Sequence, residues 1–125
     1  MKDGRKYWGK YRGLVINNQD PENLGRLKAR VPSIFGELGE TGWAWPCFPF
    51  TGLDEGFFYT PSIGAGVWIE FESGDIDYPI WVGGWFSKPD GVSEVPIEEA
   101  LGRVISSNGP LIIRGDPLIL EGLEE

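Results

Sequence analysis

The stretch VWIEFESGDIDYPIWVGGWF, residues 67–86, contains two apolar segments on either side of a short polar turn. In the first segment every second residue is apolar, which is the period of a strand with one buried face. That face consists of Val67, Ile69 and Phe71. The turn residues SGDIDYP follow, and PIWVGGWF returns as a nearly continuous apolar segment. The pattern predicts two antiparallel strands joined as a hairpin.

Two more strands are predicted upstream of this hairpin. Residues 11–17, YRGLVIN, form a short apolar segment that ends at the turn residues NQDPEN. Residues 24–32, LGRLKARVP, alternate between an apolar and a basic face, and Pro32 ends the strand. We expect the following side chains of these strands to point inward: Leu27, Val31, Val67, Ile69, Phe71, Ile80 and Val82.

Residues 33–66 form a long connection rich in glycine, proline and aromatic residues. Its most aromatic part is WAWPCFPF, residues 43–50. Connections of this length are usually functional or packed by their own side chains, and this one has room for a short helix or a further strand. The chain has 19 Gly and 10 Pro in 125 residues and almost no helix-length periodic segment, so the sequence predicts an all-β fold.

The charge of the chain is unevenly distributed. Residues 1–30 carry eight Lys/Arg against three Asp/Glu, a net charge of +5. The remaining residues carry three against sixteen, a net charge of -13, which gives -8 for the whole chain. Because affinity for phosphate backbones is mostly electrostatic, this balance disfavours nucleic acid as a partner.

Several kinds of chemistry are excluded by composition. The chain has no histidine and one cysteine, Cys47, which rules out a Ser-His-Asp triad, a Cys-His pair, a usual zinc site and an intramolecular disulfide. Neighbouring carboxylates occur at Asp54 and Glu55 and at Asp75 and Asp77, and we interpret both sets as turn residues rather than an acid–base pair or a calcium site. We therefore predict no enzymatic activity, no cofactor and no metal. Neither a signal peptide nor a membrane-spanning segment is predicted.

The chain is predicted to have four parts. Residues 1–10 form a basic arm, 11–86 the main domain, 87–102 a linker in which PIEEALG permits a short helix, and 103–125 a short β stalk. The stalk has too many apolar side chains to leave in water but too few for a core of its own, so we expect it to need a partner. Its apolar residues are Val104, Ile105, Leu111, Ile112, Ile113, Leu118, Ile119 and Leu120.

The order of these segments is more informative than any one of them. GLVINNQDPENLGRLKARVP, then WAWPCFPF, then TPSIGAGVWIEFESGDIDYPIWVGGWF together resemble the oligosaccharide-binding-fold (OB-fold) domain of the phage baseplate assembly protein V family. That domain heads the central spike of contractile phage tails and of related injection systems, including the valine-glycine-repeat spike proteins of type VI secretion. The resemblance covers about residues 11–86. It implies a five-stranded Greek-key OB-fold barrel, followed here by a short β-rich trimerising tail.

The resemblance also implies a role and partners. The role is a non-enzymatic, structural component of the central spike that links the tail hub to the spike tip for penetration of the cell envelope. The protein would be a homotrimer in contact with a hub protein and a spike-tip protein. It would reside in the virion after assembly in the bacterial host cytoplasm, and a single cysteine suits that reducing compartment. Since only about 39 residues follow Phe86, we expect a short stalk rather than a long needle.

Two sets of residues are candidates for contacts with other molecules. By the resemblance, subunit or partner contacts are expected from Trp43, Trp45, Phe48 and Phe50, with core packing as the alternative for each. In the tail they are expected from Leu111, Ile112, Ile113, Leu118, Ile119 and Leu120. The alternative function is an OB-fold module that binds single-stranded nucleic acid or oligosaccharide, with Arg26, Lys28 and Arg30 as the ligand face.

Overall fold

The computed structural model describes residues 4–123 and contains seven strands, one short α-helix and two 3-10 turns in that range. Residues 1–3 of the predicted arm and 124–125 of the predicted stalk lie outside the described residues. The strands and the helix are β1 Tyr11–Asn17, β2 Lys28–Arg30, α1 Pro32–Phe35, β3 Trp45–Pro46, β4 Thr51–Gly52, β5 Glu55–Gly56, β6 Gly66–Phe71 and β7 Pro79–Trp85. The all-β prediction is confirmed.

Five of the strands form one sheet in the order β2-β1-β6-β7-β3. The strands β1 and β6 are antiparallel, as are β6 and β7, whereas β3 joins β7 in parallel. The hairpin predicted from the opening stretch is thus confirmed, with Phe71 opposite Pro79 at its turn end. A separate two-stranded hairpin, β4–β5, lies within the long connection.

The two edges of the sheet are joined by the residues that precede β3. The N–H of Leu27 donates to the carbonyl of Ala44 at 3.1 Å, and the N–H of Ala44 donates back at 2.7 Å. The N–H of the buried Thr41 donates to the carbonyl of Ala29 at 2.9 Å, and its hydroxyl accepts the N–H of Ala29 at 3.1 Å. Strand β2 is therefore paired on both sides, which curls the sheet and covers an edge that would otherwise be open.

The core lies inside this curled sheet, and one of its strands has a different register from the predicted one. The fully buried apolar residues are Val15, Leu27, Ala29, Val31, Ala44, Val67, Ile69, Phe71 and Trp81. The prediction that Ile80 and Val82 point inward is wrong, since both are only half-buried. Ile69 pairs with Trp81, and directly opposed residues share a face of the sheet. The inward side chain of β7 is consequently Trp81.

The turn between β6 and β7 contains two of the carboxylates noted in the sequence. The Asp75 carboxylate accepts the N–H of Asp77 at 3.0 Å, and its carbonyl accepts the N–H of Tyr78 at 2.9 Å. The N–H of Glu72 donates to the carbonyl of Tyr78 at 2.9 Å and closes the turn. These contacts agree with the interpretation of Asp75 and Asp77 as turn residues.

Residues 95–125 form a second unit, of which the structure describes residues 95–123. In that range the single chain has neither helix nor strand. Residues 96–102, where the sequence permits a helix, form a turn in which Gly102 N–H donates to the Glu99 carbonyl at 3.1 Å. So short a segment cannot offset the cost of helix nucleation. No helix in the described part of the chain is long and apolar enough to cross a bilayer.

Candidate interaction surfaces

An aromatic cluster closes one side of the core. The ring of Phe48 lies 5.5 Å from that of Trp81 and 4.9 Å from that of Tyr59. Trp81 is 1 % exposed, and its indole N–H donates to the buried carbonyl of Gly25 at 3.0 Å. A Cβ at Gly25 would lie 3.2 Å from the ring of Phe58. The segments on both sides of the β4–β5 hairpin are thus anchored to the core by aromatic contacts.

The single chain leaves aromatic side chains in water in β3 and in the segments that flank the β4–β5 hairpin. Trp45, Phe50 and Phe57 are each 52 % exposed, and Phe58 is 62 % exposed. The rings of Phe50 and Phe57 meet edge to face at 5.5 Å across the base of the hairpin. Exposed aromatic side chains concentrated in one segment are typical of surfaces that contact another molecule. We call the exposed residues 45–58 the hairpin patch.

The four aromatic residues selected from the sequence separate into two pairs. Trp43 and Phe48 are half-buried, whereas Trp45 and Phe50 are exposed. The residues Phe57, Phe58 and Tyr59 were missed, although FFY is a dense aromatic run next to a turn. The structure brings these three beside Phe48 and Phe50.

The first residue of the alternative ligand face, Arg26, is engaged within the chain. Its Nε and Nη2 donate to the two carboxylate oxygens of Asp20 at 3.0 and 2.8 Å, and Nη2 also donates to Glu22 at 2.9 Å. The guanidinium lies 5.7 and 5.6 Å from the ring centroids of Trp43 and Trp45. Arg26 therefore fixes the loop after β1 and supports two of the aromatic residues.

The electrostatics of this ion pair follow from its geometry. The Arg26 side chain, with the backbone N–H groups of Glu22, Arg26 and Leu24, holds the pKa of Asp20 well below its usual range. The Asp20 carboxylate in turn raises the pKa of Arg26. Both groups stay charged over the whole neutral range, because each stabilises the ionised form of the other.

The other two residues of that face have different surroundings. The ammonium of Lys28 lies 5.0 Å from the ring centroid of Trp43. Arg30 is half-buried, and its Nε is buried without a hydrogen-bond partner in the described part of the chain. The three cations thus do not form one uniform exposed strip, and neither Lys28 nor Arg30 forms an ion pair within residues 4–123.

A second aromatic arrangement lies on the outer face of the sheet and was not selected from the sequence. The guanidinium of Arg12 lies 4.7 Å from the ring centroids of both Trp68 and Trp85. The indole N–H of Trp85 donates to the carbonyl of Val67 at 3.0 Å and so fixes its ring. Strand alternation in the sequence could have placed Arg12 and Trp68 on the outer face. In the structure the two residues oppose each other in adjacent strands.

The described residues offer little for metal binding. Within residues 4–123 no three His, Cys, Asp or Glu side chains come close enough to share an ion. Cys47 is an exposed free thiol.

One family model matches this chain, and it coincides with the five-stranded sheet. The model describes the Type VI secretion system/phage-baseplate injector OB domain and matches residues 11–86. The matched range begins with β1 and ends one residue after β7, so it contains all five strands of the main sheet. Among curated proteins no significant match was found. The family model spans more than half of the chain, and the observed sheet is all-β, as the resemblance implies. The chain therefore belongs to the family of Type VI secretion system/phage-baseplate injector OB domains.

Proposed function

We propose that this protein is a structural subunit of the central spike of a contractile phage tail or related injection system. It works as a homotrimer that links the tail hub to the spike tip, within a virion or particle assembled in the host cytoplasm. The observation that supports this most is the combination of a baseplate OB domain with a following tail whose apolar side chains are all exposed in the single chain.

The tail argues for association because its apolar side chains have no core in one chain. Ile105 is 81 % exposed, and all eight apolar residues between positions 104 and 120 are exposed. At about 25 cal/mol per Å² of apolar area, covering such side chains stabilises an assembly more than surface ion pairs do. Three copies that meet on one axis supply that cover and pair the open backbone edges of their neighbours. The predicted stalk strands belong to this assembled form.

The experiment is a comparison of oligomeric states by size-exclusion chromatography with light scattering. The full chain is expected to be a trimer. In a chain that ends at Phe86, most of the protein is expected to dissociate from the trimer. In the full chain, Ile112→Glu together with Ile119→Glu should give the same loss. The control is Leu101→Glu, which adds a charge at another exposed apolar position, outside the stalk. A truncated chain that stays a tight trimer at micromolar concentration would show that the tail is not the main contact.

The proposed role is mechanical rather than catalytic. The histidine of a Ser-His-Asp or Cys-His hydrolase is missing from the composition, and the neighbouring carboxylates Asp75 and Asp77 lie in a turn. Incubation of the purified protein with peptidoglycan should release no soluble sugar. Release that disappears in an Asp75→Asn or Asp77→Asn variant would contradict the structural role.

A further inference from the structure

The outer face of the sheet holds a guanidinium whose hydrogen-bonding edge is available. Arg12 is exposed, and its guanidinium lies over the neighbouring rings of Trp68 and Trp85, whose centroids are 6.3 Å apart. Within residues 4–123 its N–H groups have no carboxylate or carbonyl acceptor. A guanidinium that lies over aromatic rings contacts them through its face and leaves in-plane N–H groups free, and these can bind a carboxylate through two parallel bonds.

The tip of the β4–β5 hairpin has the complementary charge. Asp54 and Glu55 are exposed, and neither forms an ion pair with another residue in the described range. No Lys or Arg occurs between positions 31 and 87, so nothing in this segment neutralises them. Leu53, next to them, is 91 % exposed. The hairpin tip therefore offers two carboxylates and an apolar side chain to another molecule.

The cation and the carboxylates lie on different sides of the sheet. A Cβ at Gly13 would lie 3.2 Å from Ile69 in the core, so Gly13 faces inward and its neighbour Arg12 faces outward. The segments that flank the hairpin pack instead on Trp81, whose side chain is on the inner face. Two different patches that attract each other make a contact of the head-to-tail kind, which closes into a ring when the rotation between copies allows it.

We propose that Arg12 binds the carboxylates of Asp54 and Glu55 from a neighbouring copy of this chain. The inference rests on the proposed homotrimer and specifies the contact between its OB domains. A second copy is the occupant that charge complementarity favours, since the first 30 residues carry +5 and the remainder -13. The exposed Leu53 and the rings beside Arg12 would exclude water from the pair and so strengthen it.

Charge reversal on each surface tests the contact in the full chain. Arg12→Glu should raise the dissociation constant of the trimer at least about tenfold, as expected for loss of a charge-assisted pair in an interface. Asp54→Asn with Glu55→Arg should do the same from the other side. Position 54 is changed to Asn rather than to a cationic residue such as Lys, because the backbone φ of 60° at Asp54 favours Asn or Asp. Combining all three changes should restore association, whereas Lys88→Glu, a charge reversal at an exposed site elsewhere, should have no effect. Sedimentation velocity over a concentration series measures these constants, and circular dichroism checks that each variant is folded.

A chemical cross-link provides a readout that does not depend on how strongly the tail holds the trimer. Arg12→Lys places a primary amine at the site, and a carbodiimide should join it to Asp54 or Glu55 of another chain. The cross-link should appear as a covalent oligomer whose linked peptides are identified by mass spectrometry. Lys10 and Glu70, 3.5 Å apart, serve as the internal positive control within one chain.

The outcomes separate this contact from the proposed assembly. An unaltered trimer in both charge-reversed variants, with no cross-link between positions 12 and 54–55, would overturn the contact while the trimer stands. A failure of the combined variant to recover would overturn the pairing with the hairpin. A full chain that is monomeric at micromolar concentration would overturn both the trimer and the contact.

Discussion

Replacing Trp81 by phenylalanine tests the register of β7, on which the core depends. Trp81 is 1 % exposed, and its indole N–H is the partner of the buried Gly25 carbonyl at 3.0 Å. Phenylalanine leaves that carbonyl unsatisfied, which costs about 1–3 kcal/mol. It also removes about three buried heavy atoms, worth about 2 kcal/mol at roughly 0.8 kcal/mol for each CH₂-sized group. The expected loss of unfolding free energy for Trp81→Phe is therefore about 3–5 kcal/mol, a large part of the about 5–15 kcal/mol typical of a domain.

Urea denaturation followed by far-ultraviolet circular dichroism measures this loss without depending on tryptophan fluorescence. With a slope of about 1–1.5 kcal/mol per molar for a domain of this size, the midpoint should fall by about 2–5 M or the variant should be unfolded. All variants are compared at one protein concentration, because association shifts apparent stability. The matched control is Trp45→Phe at a position that is 52 % exposed, where we expect a loss of at most about 1 kcal/mol. Equal losses at the two positions would refute the register and favour Ile80 and Val82 as the inward residues.

Three further changes test other parts of the fold. Asp20→Asn should make stability less dependent on pH: the native pKa of Asp20 lies below its unfolded value of about 3.9, so its contribution is present above that pH and is lost as the pH falls through and below it. Urea midpoints between neutral pH and about pH 3 should then fall more steeply for the unmodified chain. Gly66→Ala should lower the free energy of unfolding by about 1–3 kcal/mol in thermal denaturation, because the new Cβ would lie 2.6 Å from the ring of Trp85. The control is Gly42→Ala, which should be nearly neutral because no atom lies within 4 Å of its Cβ. Ile69→Asp should leave the domain unfolded by circular dichroism, because burying an unpaired carboxylate costs several kcal/mol, and a folded variant would refute the inward position of that side chain.

The difference between β6 and β7 shows which part of a fold can be predicted from one sequence. Strand β6 has one apolar and one mixed face, so its alternation identified Val67, Ile69 and Phe71 as core residues. Strand β7 reads PIWVGGW and is apolar at every position before its glycines, so it contains no signal of which side faces inward. Its register depends on pairing with β6, where an irregularity between Val67 and Ile69 shifts the partners. A shift of one residue exchanges the two faces of a strand.

The interaction surfaces were predictable to a similar, partial extent. An aromatic run such as WAWPCFPF can be found by composition, but burial depends on contacts from distant parts of the chain. Phe48 is half-buried because Tyr59 and Trp81 lie beside it, whereas Phe50 has only Phe57 and stays exposed. The contact of Arg12 with Trp68 and Trp85 joins three strands, and no local pattern contains all three residues.

The tail and the OB domain differ in what a single chain can determine. In the domain, β2 is paired on both edges and a set of apolar side chains is fully buried, so one copy forms a sheet and a core. In the tail, residues such as Ile112, Ile119 and Leu120 are exposed, and no strand forms within the described residues. A sequence that alternates short apolar runs with turn residues cannot complete a sheet without an edge to pair with, and isolated hairpins are marginal in water. If copies of the chain supply that edge, ordering of the tail should depend on concentration together with trimer formation. Hydrogen exchange of tail amides that stays fast in a stable trimer would show that the OB domains alone hold the copies together.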